Sequence, residues 1–296
     1  MNHKLALGTV QFGVPYGISN VSGQTDVEEV KKILALAQKN GISNIDTAAV
    51  YGNSELALGQ AIAGFNRADF KIVTKSPHFN SNVITNHEVS LLRTTFGQSL
   101  KDLGLERVDG VLIHRCDDLF VEDGYKIFRE LESLKAQGRV KKIGVSVYNS
   151  QQIARVLNEF SIDLIQLPVN ILDQRLIEDG SLERLRERGV EIHARSVFLQ
   201  GLLLMPVESI SPWFNPILPR INRFHDLAKE MELSPLQLAL GFVNALKQVD
   251  RVVVGVNNVN QLQEILEAAN ASVNVLQYQE LSVQDSMFIN PGNWQV

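Results

Sequence analysis

The sequence is short of cysteine and of long apolar runs. It has a single cysteine, Cys116, which excludes an intrachain disulfide framework and a cysteine-based metal cluster. No apolar run reaches the roughly 18 residues that a membrane-spanning helix needs, so no membrane association is expected. The first residues, Met1 to Lys4, lead into a strand-like segment without the apolar core of a secretion signal, which favours a cytoplasmic location.

The chain also lacks an excess of positive charge. Its 28 Lys and Arg residues are outnumbered by 33 Asp and Glu residues, so the net charge is −5. A nucleic-acid-binding surface would show clustered basic residues, and the densest run here, Arg139 with Lys141 and Lys142, lies between a predicted helix and a predicted strand. We therefore expect a small-molecule ligand and no nucleic-acid partner. The oligomeric state stays open, and a monomer is compatible with the sequence.

Short apolar segments alternate with helical patterns along the whole chain. Strand-like segments lie at 42–46, 70–75, 108–114, 142–147, 164–167, 190–197 and 251–255. The segment 5–13, apolar and then glycine-rich, could be a short strand or a hairpin, and 273–276 could be a last short strand. Amphipathic helical stripes separate them, several preceded by capping residues such as Asp26, Ser54 and Ser150. This alternation predicts a parallel sheet covered by helices, and about eight units over 296 residues predict a single-domain (β/α)₈ barrel, a TIM barrel, spanning 1–296.

An open doubly wound sheet is the alternative fold. Such a fold commonly carries a G-x-G-x-x-G turn after its first strand, where it binds a dinucleotide phosphate. The segment that follows the first predicted strand here, Gly8 to Gly13, does not have that spacing. The closed barrel is therefore favoured.

Ionisable residues stand at the ends of three consecutive predicted strands. Asp46, Lys75 and His114 end the second, third and fourth strands, and Tyr51 follows Asp46 by five residues. Active sites of (β/α)₈ barrels form at the carboxyl ends of the strands, so these four side chains should converge. A buried Lys75 would need Asp46 as its counter-charge, and its ammonium should lower the pKa of Tyr51. His114 could orient a carbonyl oxygen.

The segments that hold these residues resemble the aldo-keto reductase superfamily. The run Asp46-Thr47-Ala48-x-x-Tyr51-Gly52-x-Ser54-Glu55-x-x-Leu58-Gly59 is similar to the signature of that family. Lys75, the run Leu112-Ile113-His114, the run Gly144-Val145-Ser146 and Gln166 are similar to further family segments. The resemblance extends from Gly8 to Trp294.

The resemblance implies an NAD(P)H-dependent oxidoreductase that reduces an aldehyde or ketone. Tyr51 would be the general acid, Lys75 and Asp46 would tune it, and His114 would orient the carbonyl. Ser146 and Gln166 would hold the nicotinamide carboxamide, 196–201 would wrap the pyrophosphate, and 255–264 would hold the adenosine end. The implied cofactor residues are Gly8, Thr9, Gln11, Asp46, Ser146, Gln166, Arg195, Ser196, Phe198, Leu199, Gln200, Gly201, Gly255, Val256, Asn257, Asn258, Gln261 and Glu264. No metal site is expected.

Three departures from the family pattern bear on the cofactor. Val147 follows Ser146 where the family often has an asparagine that contacts the carboxamide. Arg195 stands where the family usually has an aromatic residue against the nicotinamide. The run from Gly255 to Gln261 has no Lys or Arg, where the family commonly has a cation for the 2′-phosphate. We expect NADP(H) with a reduced preference, and NAD(H) as the alternative.

Two other function classes compete with the reductase. One is a regulatory or interaction protein that binds the cofactor on this scaffold with little catalysis, and the quartet of Asp46, Tyr51, Lys75 and His114 argues against it. The other is a metal-dependent hydrolase, which would need histidine and carboxylate ligands clustered at strand ends. The sequence offers no such cluster, and it leaves the substrate and the physiological direction undetermined.

Overall fold

Eight parallel strands form a closed barrel. The computed structural model describes residues 4–274 and 278–295. The strands are β1 (Leu5–Gly8), β2 (Asn44–Asp46), β3 (Lys71–Lys75), β4 (Val108–Ile113), β5 (Val140–Ser146), β6 (Leu164–Pro168), β7 (Glu191–Arg195) and β8 (Arg251–Gly255). Each strand pairs with its neighbours in chain order, and β8 closes the ring against β1. The predicted (β/α)₈ barrel is confirmed.

Helices follow each strand and cover the barrel. They are α1 (Val10–Gly13), α2 (Val27–Lys39), α3 (Ser54–Ile62), α4 (Asn86–Leu103), α5 (Tyr125–Ala136), α6 (Ser150–Glu159), α7 (Arg175–Glu178), α8 (Ser181–Glu187), α9 (Leu218–Glu230), α10 (Pro235–Ala245), α11 (Val259–Ala268) and α12 (Ser286–Ile289). Their apolar faces pack on the outward-facing strand residues to form a continuous core. Within the described residues, none of these helices has the length and apolar character to cross a membrane.

Several local features differ from the sequence expectations. The segment after β1 forms the short helix α1 instead of a hairpin. The N-caps of α3 and α6 are Asn53 and Asn149, each one residue before the predicted serine. Ser54 is displaced from capping because its hydroxyl is buried, where it donates to the Thr9 carbonyl oxygen at 2.7 Å. The predicted strand at 273–276 falls partly on 275–277, outside the described residues, and 273–274 are irregular.

The register of the strands aligns their carboxyl ends. Gly8 pairs with Asp46 on one side and with Gly255 on the other, while Lys75 pairs with Leu112, close to the end of β4. In a parallel barrel all carboxyl ends meet at one face. The residues that end or follow β1 to β8 therefore surround one opening.

One helix contact depends on a glycine. A β-carbon at Gly59 in α3 would lie 1.9 Å from the carbonyl oxygen of Asp102 in α4, so the helices could not keep their present separation. Gly97, in the middle of α4, has no neighbouring atom within 4 Å of the same position.

We expect Gly59→Ala to destabilise the fold by roughly 1–3 kcal/mol, the usual cost of inserting a methyl group into a packed contact. Gly97→Ala is the matched control and should stabilise the protein by up to about 1 kcal/mol through helix propensity. Guanidinium unfolding of both variants measures this difference. A Gly59→Ala protein as stable as the Gly97→Ala protein would contradict this account of the α3–α4 contact.

Candidate active site

A buried ion pair joins the ends of β2 and β3. Lys75 Nζ donates to Asp46 Oδ2 at 2.7 Å and to the Thr47 carbonyl oxygen at 2.9 Å. Gln166 Nε2, from β6 across the barrel, donates to the other carboxylate oxygen of Asp46 at 2.7 Å. Burial alone would lower the pKa of Lys75, but the opposing effects of Asp46 and Tyr51 are larger, and this pKa is raised. Lys75 is therefore a fixed cation beneath the opening.

Tyr51 lies over this cation. Lys75 Nζ is 5.0 Å from the centroid of the Tyr51 ring. Burial raises the pKa of Tyr51 and outweighs the lowering effect of Lys75. The sequence suggested the opposite direction for the pKa of Tyr51, because it showed the neighbouring ammonium but not how little water reaches the phenol. The phenol is thus protonated at neutral pH, with a cation ready to stabilise its anion.

His114 follows β4 and completes the group. Its ring lies edge-on to Tyr51, with centroids 5.7 Å apart, and 4.7 Å from the ring of His78. Burial, followed by the nearby charge of Lys75, lowers the pKa of His114 to about 2. Its buried Nδ1 has no hydrogen-bond partner in the described residues. His114 is therefore a neutral imidazole with unused hydrogen-bonding capacity.

A cavity of about 500 Å³ opens above these side chains. Tyr51, His114 and Asp46 line it, whereas Lys75 lies beneath its surface. The predicted cofactor residues that line it are Gly8, Thr9, Gln11, Asp46, Ser146, Gln166, Arg195, Ser196, Phe198, Gln200, Gly201, Gly255, Asn257, Gln261 and Glu264. Three others do not: Leu199 and Val256 are buried in the core, and Asn258 caps α11.

The cavity also has walls that the sequence reasoning missed. Tyr16, Gly17, Ser19 and Asn20 reach it from the loop between α1 and α2, and Tyr148 reaches it from the loop after β5. None of these residues belongs to the motifs that resemble the family. The position of Tyr148 just beyond the carboxyl end of β5 was the available indication, because such loops form barrel active sites.

Arg195 is held by the residues beside it. Its guanidinium lies over the ring of Tyr148 at 4.3 Å from the centroid, and it donates to the Val147 carbonyl oxygen at 3.1 Å and to Ser196 Oγ at 3.2 Å. Cation–π contacts and hydrogen bonds of this kind fix a guanidinium in orientation. A positive charge thus stands at the wall of the cavity at the end of β7.

Two loops meet across the cavity. The segment after β7 has left-handed backbone at Ser196, Leu199, Gln200 and Gly201. A β-carbon at Gly201 would lie 1.8 Å from Ser19 Oγ, so this glycine permits the close approach of the α1–α2 loop. Successive backbone N–H groups in turns of mixed handedness can form concave anion sites, which fits the expected pyrophosphate position.

The residues present fit a nicotinamide dinucleotide. The cavity continues from the Tyr51 end to the β8–α11 turn, and buried acceptors along it, Gln11 Oε1 and Asn257 Oδ1, have no partner among the described residues. Such atoms are normally satisfied by a ligand or water. Within 4–274 and 278–295, no group of three His, Cys, Asp or Glu side chains is arranged to hold a metal ion.

The low pKa of His114 predicts a pH-dependent loss of stability. Below a pH of about 6.5 the unfolded chain takes up a proton at this residue that the folded chain refuses, so stability falls as the pH falls. At about pH 5 the loss amounts to about 2 kcal/mol. Urea unfolding at about pH 7.5 and about pH 5 should show a larger loss in the wild type than in His114→Asn, and the difference between the two losses should be of this size.

His87→Asn, an exposed histidine on α4, is the control for this measurement. It should keep the wild-type difference between the two pH values. Equal pH dependence in the wild type and His114→Asn would show that His114 is not held neutral by the fold.

Comparison with known proteins shows the family of the chain. Residues 4–283 match the family model described as the aldo/keto reductase family. The chain is 25% identical to the NADH-specific methylglyoxal reductase of Escherichia coli, covering 91% of this chain and 90% of that protein. It is 30% identical to the glyoxal reductase of Bacillus subtilis over 62% of each chain.

In structure the chain is similar to the holo form of an aldo-keto reductase from Bacillus halodurans, with a TM-score of 0.74 and 22% identity. The match covers 94% of this chain and 90% of that one. With its barrel and a family match that spans nearly its whole length, the chain belongs to the aldo/keto reductase family.

Proposed function

We propose that this protein reduces an aldehyde or ketone to an alcohol with a reduced nicotinamide dinucleotide. The observation that carries the proposal is the convergence of Tyr51 and His114 on one cavity, directly above the buried Lys75–Asp46 pair. A protonated phenol, a cation beneath it and a neutral imidazole are the groups needed to protonate a carbonyl oxygen. A merely cofactor-binding protein has no need of this arrangement.

Tyr51 is the proposed proton donor. Burial keeps the proton on Tyr51 Oη at neutral pH, and Lys75 Nζ stabilises the phenolate that forms when the proton leaves. Asp46 holds Lys75 charged and in place, and Gln166 orients Asp46. In the reverse direction the same phenolate would take the proton from an alcohol.

His114 has the proposed role of orienting the carbonyl. A neutral imidazole can donate one N–H to a carbonyl oxygen without adding a second positive charge beside Lys75. Its backbone N–H donates to Ser76 Oγ at 3.0 Å, which anchors the residue at the end of β4. The oxygen that receives the proton would thus be held between His114 and Tyr51.

The cofactor supplies the hydride when it is bound. Ser146 and Gln166 are proposed to hold its carboxamide, 196–201 its pyrophosphate, and the β8–α11 turn its adenosine end. Two relatives are named for reducing methylglyoxal and glyoxal, so small aldehydes are the first substrates to test. The sequence alone favours NADP(H). The carboxylates of Glu264 and Glu29, which lie near the β8–α11 turn, support the alternative, NAD(H).

Arg195 supports reduction as the favoured direction. The family resemblance puts this residue beside the nicotinamide, whose oxidised ring is positively charged and whose reduced ring is neutral. A guanidinium fixed at that wall of the cavity repels the oxidised ring and can stack on the reduced one. Release of the oxidised cofactor after the reaction would be aided.

Arg195→Gln should therefore bind oxidised cofactor more tightly relative to reduced cofactor, by about tenfold, because one charge repulsion is removed. Calorimetric titration with both forms gives the ratio of dissociation constants. Arg220→Gln, an exposed arginine on α9, should leave that ratio unchanged. An unchanged ratio in Arg195→Gln would remove Arg195 from the nicotinamide site.

Tyr51→Phe should reduce turnover of a small aldehyde by roughly 10²–10⁴-fold, because the proton donor is lost. Dinucleotide binding should change little, since the ring remains. Tyr125→Phe, an exposed tyrosine on α5, is the matched control and should keep full activity. Turnover is followed by nicotinamide absorbance, and near-normal turnover in Tyr51→Phe would disprove the assignment.

A further inference from the structure

The far end of the cavity, at the β8–α11 turn, carries negative rather than positive charge. Gly255, Asn257, Gln261, Glu264 and Ile265 line this end. Glu264 is the charged side chain among these lining residues, and no lysine or arginine accompanies it there. A 2′-phosphate carries nearly two negative charges and is usually recognised by charge-assisted hydrogen bonds from cations.

Two backbone N–H groups in the first turn of α11, and one just before its N-cap, are already engaged. The N-terminus of a helix is a natural anion site, because its first N–H groups have no partner within the helix. Here the N–H of Gln261 donates to Asn258 Oδ1 at 3.0 Å, and the N–H of Asn257 donates to Gln261 Oε1 at 2.7 Å. The N–H of Val259 donates to the carboxylate of Glu29, at 2.7 Å.

Glu29 comes from α2, the helix that packs beside α11. Its pKa is lowered, first by the Val259 N–H and then by Lys32, so it is ionised at neutral pH. Its second oxygen accepts from Lys32 Nζ at 3.0 Å, and Asp26 lies on the same turn of α2. The anion that the α11 N-terminus attracts is thus provided by the chain itself.

Two unsatisfied acceptors beside this turn indicate what the site does bind. Gln11 Oε1 and Asn257 Oδ1 are buried, line the cavity and have no partner among the described residues. Gln11 lies against Gly255, where a β-carbon would be 2.6 Å from its oxygen. Acceptors pair with hydroxyl donors, whereas an ionised phosphate mainly offers further acceptors. A ribose with a free 2′-hydroxyl matches this end of the cavity.

We propose that the site selects NAD(H) over NADP(H), and that Glu29 is the residue that excludes the 2′-phosphate. The proposal rests on the proposed function, since it concerns the cofactor of the same site. It assigns selectivity to a carboxylate on α2, outside the β8–α11 segment where the family commonly has a cation. Glu264 adds to the same negative field.

The test is direct titration of the full-length protein with NADH and NADPH in the absence of substrate, by calorimetry. The wild type should bind NADH about tenfold or more tightly than NADPH, because like charges brought together weaken association strongly. The difference should shrink at high ionic strength, since salt screens such repulsion. Wild-type preference for NADPH, or equal affinity, would overturn the proposal.

Glu29→Gln should tighten NADPH binding by about tenfold and leave NADH binding nearly unchanged, because the repelling charge is lost and Lys32 is released. Glu28→Gln is the matched control. Glu28 directly precedes Glu29 on α2, its side chain is 77% exposed, and it pairs with Lys31 instead of α11. An equal shift in both variants would overturn the role of Glu29. The wild-type comparison remains decisive if Glu29→Gln does not fold.

The outcomes also separate this inference from the proposed function. Equal binding of both dinucleotides, together with aldehyde reduction that Tyr51→Phe abolishes, would overturn the inference and leave the function intact. Binding of neither dinucleotide by a correctly folded protein would overturn both.

Discussion

The ion pair between Lys75 and Asp46 is the constraint on which the rest of the site depends. Two charges removed from water are tolerated only when each has good partners, and here the Thr47 carbonyl and Gln166 complete the set. Asp46 ends β2, Lys75 ends β3 and Gln166 lies on β6. All the partners therefore come together only when the barrel is closed. Burial beside this pair raises the pKa of Tyr51 against the lowering effect of the cation, whereas burial and the cation together lower the pKa of His114.

The order of the strands orders the proposed chemistry. The proposed proton donor and its cation belong to the loops and ends of β2 and β3, and His114 directly follows β4. Carboxamide contacts are proposed at the ends of β5 and β6, pyrophosphate contacts after β7, and adenosine contacts between β8 and α11. A dinucleotide laid across the opening would therefore meet the chain in nearly the order in which the strands are arranged. No separate nucleotide-binding subdomain is needed for this.

The sequence was sufficient for the barrel and for the central residues of the site, and insufficient for what depends on packing between distant segments. Asp46, Lys75 and His114 were predictable because strand ends can be read from local patterns and all meet at one face. The direction of the Tyr51 pKa was not, because it depends on how much water the assembled loops exclude. The capping role of Ser54 was wrong because its hydroxyl finds a buried partner near Thr9, 45 positions earlier in the chain.

The bond from Val259 to Glu29 joins the first large helix of the ring to the last one. In the described residues it shares no hydrogen bond with the chain of contacts from Gln166 through Asp46 to Lys75. The group proposed to deliver the proton and the group proposed to read the nucleotide are therefore held by independent contacts. Under these two proposals, substitutions at the α2–α11 seam would change the coenzyme without altering the proposed proton donor, so the choice of cofactor could diverge separately from the chemistry.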